Sequence, residues 1–291
     1  MSLNHWDAAV IGVKTVAYAA TLGAAGAVFF LRYGGALIAD AQRLTIRRLV
    51  FVLAVLSIAA GAAHVVVLAG SMSGEAAGMW DGPLLRMGLQ GGAGRAIAIR
   101  ATGIILTALG VLSERPAWWA LIGAAAAATS FAWTGHAHAL HPDAIPMLLL
   151  GVHLLGVAFW LGALAPLRMV ASGGNPIHIA AAAARFGTAA VFVVGGLIAA
   201  AVMLLWLMLG GLSQIWASDY GRYITLKLAL VAGLLSLAAF NKLRLTPRLQ
   251  VGDPAAVRGF QASIACEMLL AILILAVTAA LTTLAGPPAL D

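Results

Sequence analysis

The chain has 291 residues, of which 63% are hydrophobic and only 9% charged, whereas a soluble domain hydrates its surface with roughly a quarter charged residues. That composition excludes a water-soluble globular protein and calls for a lipid-facing exterior. A formal net charge of +7 does not make a nucleic-acid binder, because the basic residues are scattered over short loops rather than gathered in one patch.

Apolar runs long enough to cross a bilayer recur along the whole chain. They predict an all-α polytopic membrane protein with eight transmembrane helices, at roughly 8–31, 48–70, 95–113, 117–134, 145–168, 185–209, 221–241 and 262–284. Pro116, Pro142, Pro146, Pro247 and Pro254 fall in the breaks, as befits a residue that cannot donate to a helix ladder. Small-residue faces at Gly123 to Ala128 and Gly195-Gly196 are expected to let helices approach closely. With no internal repeat and no long linker, residues 1–291 read as a single transmembrane domain. The start, Met1 to Asp7, carries no basic region before its apolar run, so the first helix is expected to be retained rather than cleaved as a signal peptide.

Alternate loops sort the charge. One side carries Arg32, Arg43, Arg47, Arg48, Arg115, Arg168, Arg185, Lys242, Arg244, Arg248 and Arg258; the other has chiefly Arg86, Arg95 and Arg222. The positive-inside rule makes the first set cytoplasmic. Both termini are then outside, which is the periplasm for a multi-pass protein of a Gram-negative inner membrane.

On that outer side falls the densest chemistry in the chain, Gly135-His136-Ala137-His138-Ala139-Leu140-His141-Pro142-Asp143. Neutral imidazole suits copper, zinc, iron and nickel, while thioether selects Cu(I). His136, His138 and His141, with His5 and with Met72 and Met79 of the 71–94 connection, therefore point to copper. The lone Cys266 excludes a paired-cysteine site. Positions i and i+2 diverge on a regular helix, so convergence of the cluster requires a helix end or an extended loop. The plainer reading is a solvated polar loop, and methionine here is more often packing than ligand.

Two further histidines, His64 and His153, sit inside spans at similar depth below the outer face. Ionisable groups in a span are costly, and each is a functional hypothesis. They read as an inner station on a metal path, as axial ligands of a b-type haem, or as packing residues. Lys14, Arg100 and Lys227 also lie within spans but are poor ligands for a cation; a structural or gating role suits them better. No phosphate loop and no nucleophile turn is present in the sequence, so the chain is not expected to be an enzyme. A haem or copper redox activity is the runner-up.

The run Gly135-His136-Ala137, then His153 with Phe159-Trp160-Leu161-Gly162-Ala163-Leu164-Ala165-Pro166-Leu167, resembles the copper-resistance D (CopD) family of bacterial inner-membrane proteins. Arg185-Phe186, Trp216 to Arg222 leading to Lys227, and Asn241-Lys242 with Pro247-Arg248-Leu249 extend the resemblance. It implies copper transport across the inner membrane, with the copper ion as cargo and often a periplasmic CopC-type copper-binding partner. Import from the periplasm is the expected direction.

Overall fold

A computed structural model describes residues 4–113, 117–133, 145–173, 175–209 and 219–285, and among these there is no β-strand. The described residues form nine helices, in order α1 His5–Gly34, α2 Asp40–Ser73, α3 Gly82–Gly88, α4 Gly91–Gly110, α5 Trp118–Thr129, α6 Ile145–Ala171, α7 Pro176–Leu209, α8 Asp219–Gln250 and α9 Pro254–Leu284. Seven of them are long and apolar enough to cross a membrane. The chain is thus an all-α multi-pass membrane protein, its lipid face supplied by exposed residues such as Val55, Phe192 and Trp206.

The fourth expected span, 117–134, differs in form. It is the twelve-residue α5 continued by a 3-10 turn, Ser130–Trp133, and so is too short to count among the seven. It nevertheless retraces α4 antiparallel: Gly110 abuts Ala120, Gly103 meets Gly123, and Arg95 lies 5.6 Å from the Trp133 ring centre. At 1.5 Å per α-helical and 2.0 Å per 3-10 residue it covers about 26 Å, nearly the depth of α4.

Local chemistry sets the ends. Asn4 and Asp7 form a reciprocal cap on α1, and Gly74, at φ +76°, closes α2 in the left-handed conformation that costs glycine nothing. Other helices run past the expected limits because hydropathy stops at arginines whereas helices need not. α2 begins at Asp40 and carries Arg43, Arg47 and Arg48; α7 begins at Pro176, ahead of Arg185. α8 also continues through Pro247, which was expected in a break. The missing proline N–H is absorbed by a π turn at Asn241–Leu245, where the Thr246 hydroxyl donates to the Asn241 carbonyl at 2.9 Å.

Packing rests on small residues. Gly26 of α1 lies directly against Ala158 and Gly162 of α6. The expected face Gly123 to Ala128 is in place, with Ala124, Ala127 and Ala128 fully buried. Gly195-Gly196 is not such a face, since nothing lies within 4 Å of a side chain built at either.

The two ends of the bundle are chemically distinct. At one, basic and amide side chains cap exposed helix carbonyls: Arg43 donates to Gly35 O at 2.8 Å, Arg47 to Leu112 O, Arg168 to Gln261 O at 2.8 Å and Gln42 to Val170 O at 3.2 Å. At the other end α1 begins and α9 ends side by side, Lys14 Nζ donating to Thr282 Oγ1 at 2.7 Å. Both described ends of the chain therefore lie opposite the end that bears Arg43, Arg47 and Arg168.

At the arginine-bearing end Asp253 caps α9, accepting from Ala255 N at 2.8 Å and from Arg248 Nε at 2.9 Å. The Arg248 hydrogen bond, then the backbone N–H, holds this carboxyl below the usual carboxylate range. A depressed folded value contributes stability above the ordinary value and loses it as pH falls through the lowered one. Asp253→Asn is expected to unfold earlier than the parent at neutral pH and to converge with it in strong acid. The midpoint of thermal unfolding in detergent, followed down the pH scale, measures this.

Candidate functional site

His64 lies on α2 about nine residues before its end, and His153 on α6 about eight residues after its start. At 1.5 Å per residue they are roughly 14 and 12 Å below the end opposite the arginines. Both are partly buried.

The antiparallel register of α1 and α2 explains the surroundings of His64. Trp6 Nε1 donates to Gly74 O at 3.2 Å, Gly23 faces Leu53, and the buried Thr21 and Ser57 hydroxyls pair at 2.7 Å. This register brings Lys14 level with His64, and among the described residues the charges of Lys14 and Arg100 act on the His64 ring. Lys14 is held by α9 through Thr282 and Thr283, at 2.7–3.2 Å. Arg100, from α4, donates to Ser130 Oγ at 3.1 Å and lies 3.9 Å from the Phe131 ring centre. Tyr18 meets Phe131 edge-on, with ring centres 4.7 Å apart. Beside Arg100, a cavity of about 360 Å³ opens along Ser57, Gly61, Val65 and Ile97.

Such a cluster is expensive to leave unsatisfied in a bilayer, and its hydroxyls close it. Nothing in the sequence alone singles out Thr21, Ser57, Tyr18, Ser130 or Thr282. What signal there is lies in helical spacing: Lys14, Tyr18 and Thr21 share one face of α1, as Ser57, Gly61 and His64 share one of α2.

His153 has different neighbours. Its Nδ1 lies 3.5 Å from the Leu197 carbonyl of α7, and the charge acting on it is Lys227 of α8. No hydrogen bond or ring contact joins His64 to His153, and α2 meets α6 only slightly. Among the described residues no three His, Cys, Asp or Glu side chains converge as a metal site.

His5, Met72 and Met79 sit near the same end of the bundle. His5 is exposed at the start of α1, its ring 5.2 Å from that of Trp6. Met79 packs with Trp6 against Gly70, as a methionine filling a gap does. Met72 is exposed near the end of α2. The 71–94 connection folds back on α2 as a 3-10 turn, Ala76–Trp80, and α3. His136, His138 and His141 lie outside the described residues, in the segment leading from Trp133 to Ile145.

The Phe159 to Leu167 stretch is chiefly a packing device. Phe159 stacks on Phe186 at 5.3 Å, Gly162 seats α1, and Trp160, Leu164 and Leu167 line a second cavity near the arginine-bearing end. Cys266 is exposed on α9 while its neighbour Glu267 is buried, so the two present to different surroundings and do not form one site.

Comparison with known proteins adds two matches. Residues 4–144 match the family model described as copper resistance protein D-like, N-terminal domain. Residues 180–281 match the model described as copper resistance protein D. No curated protein and no solved structure matches the chain.

Proposed function

From its place in the copper resistance D family, to which this chain belongs, and so from a role in copper handling, we propose that it carries copper inward across the bacterial inner membrane. Copper is the cargo, collected on the outer side at His136, His138 and His141 with help from His5 and Met72. A periplasmic copper-binding protein of the CopC type is the fitting donor. The chain acts as a carrier and not as an enzyme.

The observation that supports this reading most is a pair of half-buried imidazoles, His64 and His153, set at similar depth beneath the end that bears His5 and Met72. Each is a single imidazole donor, and among the described residues no cluster of metal-ligating side chains forms around it. A lone imidazole holds copper weakly, and weak successive stations are what conduction needs, because the ion must leave as readily as it enters. The separate surroundings of the two rings make them two stations rather than one. For the same reason the arrangement favours copper passage over a haem gripped between the pair.

The test is copper uptake into proteoliposomes by His64→Ala, His153→Ala and the double variant, each checked for folded protein by gel filtration. Stations in series predict that either single change lowers the initial rate by about ten-fold or more and that the double change adds little. Unimpaired uptake by both single variants sinks the inner-station reading. Accumulation only in vesicles of the inverted orientation overturns the inward direction.

A further inference from the structure

Near the arginine-bearing end, a cavity of about 360 Å³ lies between α6, α7, α8 and α9. Its walls are apolar, with Trp160, Leu164, Phe186 and Phe260 among them, and its polar end is formed by Asn241, Lys242 and Glu267. Glu267 is 3% exposed and Asn241 8%. The Asn241 side-chain N–H donates to one carboxyl oxygen of Glu267. Asn241 Oδ1, and the Ser263 hydroxyl one turn before Glu267 on α9, are buried without a hydrogen-bond partner.

The charges nearby do not neutralise Glu267. Lys242 of α8 is the other charged residue of the lining, and its ammonium donates to the Gly187 carbonyl of α7 at 3.2 Å. α6 and α7 present apolar side chains to the cavity, Arg168 reaching instead to Gln261 O and Arg185 lying over the Tyr33 ring. α1 contributes nothing to the lining.

An ionised carboxylate here has no counter-charge. It also cannot satisfy Asn241 Oδ1, because a carboxylate only accepts. A carboxylic acid can: its O–H is the donor that Asn241 Oδ1 lacks, and acid and amide then exchange two hydrogen bonds. Asn241 is held where this is feasible by the π turn, whose Thr246 hydroxyl fixes the Asn241 carbonyl. Intramembrane carboxyls of this kind mark proton pathways when solvent can reach them, and the cavity supplies the route.

We propose that Glu267 is a proton-binding site, its carboxyl taking up a proton shared with the Asn241 amide and exchanging it through this cavity with solution at the arginine-bearing end. The step is simple protonation. Hydronium delivers H⁺ to the free carboxylate oxygen: one of its O–H bonds breaks, the carboxyl O–H bond forms, water is left, and nothing is oxidised or reduced. The site does not depend on the copper reading and is tested without copper.

Dicyclohexylcarbodiimide, an apolar reagent that modifies protonated carboxyl groups in apolar surroundings, is the probe. The full chain purified in detergent is treated across mildly acidic to alkaline pH, and the modified peptides are located by mass spectrometry. Modification is expected at Glu267, falling about ten-fold per pH unit beyond the midpoint as the acid ionises. Infrared difference spectra between mildly acid and alkaline pH, a range in which ordinary carboxyls stay ionised, provide a second reading: a carboxylic-acid carbonyl band lost reversibly in alkali and absent from Glu267→Gln. Glutamine reproduces the donor–acceptor pattern of the acid toward Asn241, so this variant keeps the fold. Glu267 left unmodified at every pH, modification that does not change with pH, or a titrating band that survives Glu267→Gln overturns the proposal.

Discussion

Gly26→Ala is expected to cost about 3 kcal/mol or more of stability, and Gly26→Leu to prevent folding, since overpacking against an unyielding neighbour costs 1–3 kcal/mol even where relaxation is available. A β-carbon at Gly26 would fall on the Ala158 carbonyl and the Gly162 backbone. These are main-chain atoms of α6, not the ends of flexible side chains, so relief requires α1 and α6 to move apart. That movement opens the core, because α1 also packs against α2, α5 and α9. Gly12→Ala on the same helix supplies the contrast. Nothing lies within 4 Å of a side chain there, and exchanging a mid-helix glycine for alanine is neutral or favourable by up to about 1 kcal/mol. Unfolding midpoints in one detergent should move in opposite directions for the two variants. Equal midpoints would mean that α1 and α6 are not in backbone contact.

That contact shows what a sequence can and cannot reveal. Hydropathy identifies the spans because lipid imposes the same requirement on each of them, and it places His64 and His153 at a common depth for the same reason. It cannot pair faces. Gly195-Gly196 looks as small in sequence as Gly26 or Gly162, yet the first pair is open and the second brings two helix backbones into direct contact. Hydropathy also places helix ends at the first charges, whereas Arg43, Arg47 and Arg48 stay on α2 by turning outward or onto neighbouring carbonyls. In the 117–134 segment it counts residues but not their rise, and so does not show the 3-10 turn that ends it. The surroundings of His64 were illegible for a further reason. Lys14 and Arg100 come from two other helices, and only the register of α1 against α2 and the seat of Arg100 on Ser130 and Phe131 bring them to the ring.

Those two cations carry the second large effect, for Lys14→Met is expected to tighten Cu(I) binding at His64 by about thirty-fold and to slow copper release in proportion. A unit positive charge several ångströms from a bound cation opposes it by on the order of 2 kcal/mol at an effective dielectric of about 20. Methionine keeps the length of the side chain and removes that charge. It leaves no orphan behind, because the Thr282 and Thr283 hydroxyls already bond to the Ala279 carbonyl of their own helix, at 3.2 and 2.8 Å. Arg100→Met acts in the same direction, and Ser130 retains its bond to Ala127 O at 2.7 Å; Arg100→Lys preserves the charge and should preserve the affinity. Measured by competition with a Cu(I) chelator in a His153→Ala background, the two methionine variants should bind more tightly than their parent. Lys227→Met should not, since its charge acts on His153. An affinity unmoved by Lys14→Met and Arg100→Met alike would mean that the ion never rests at His64. A tighter site with slower uptake would make Lys14 and Arg100 the groups that keep this station weak enough to conduct.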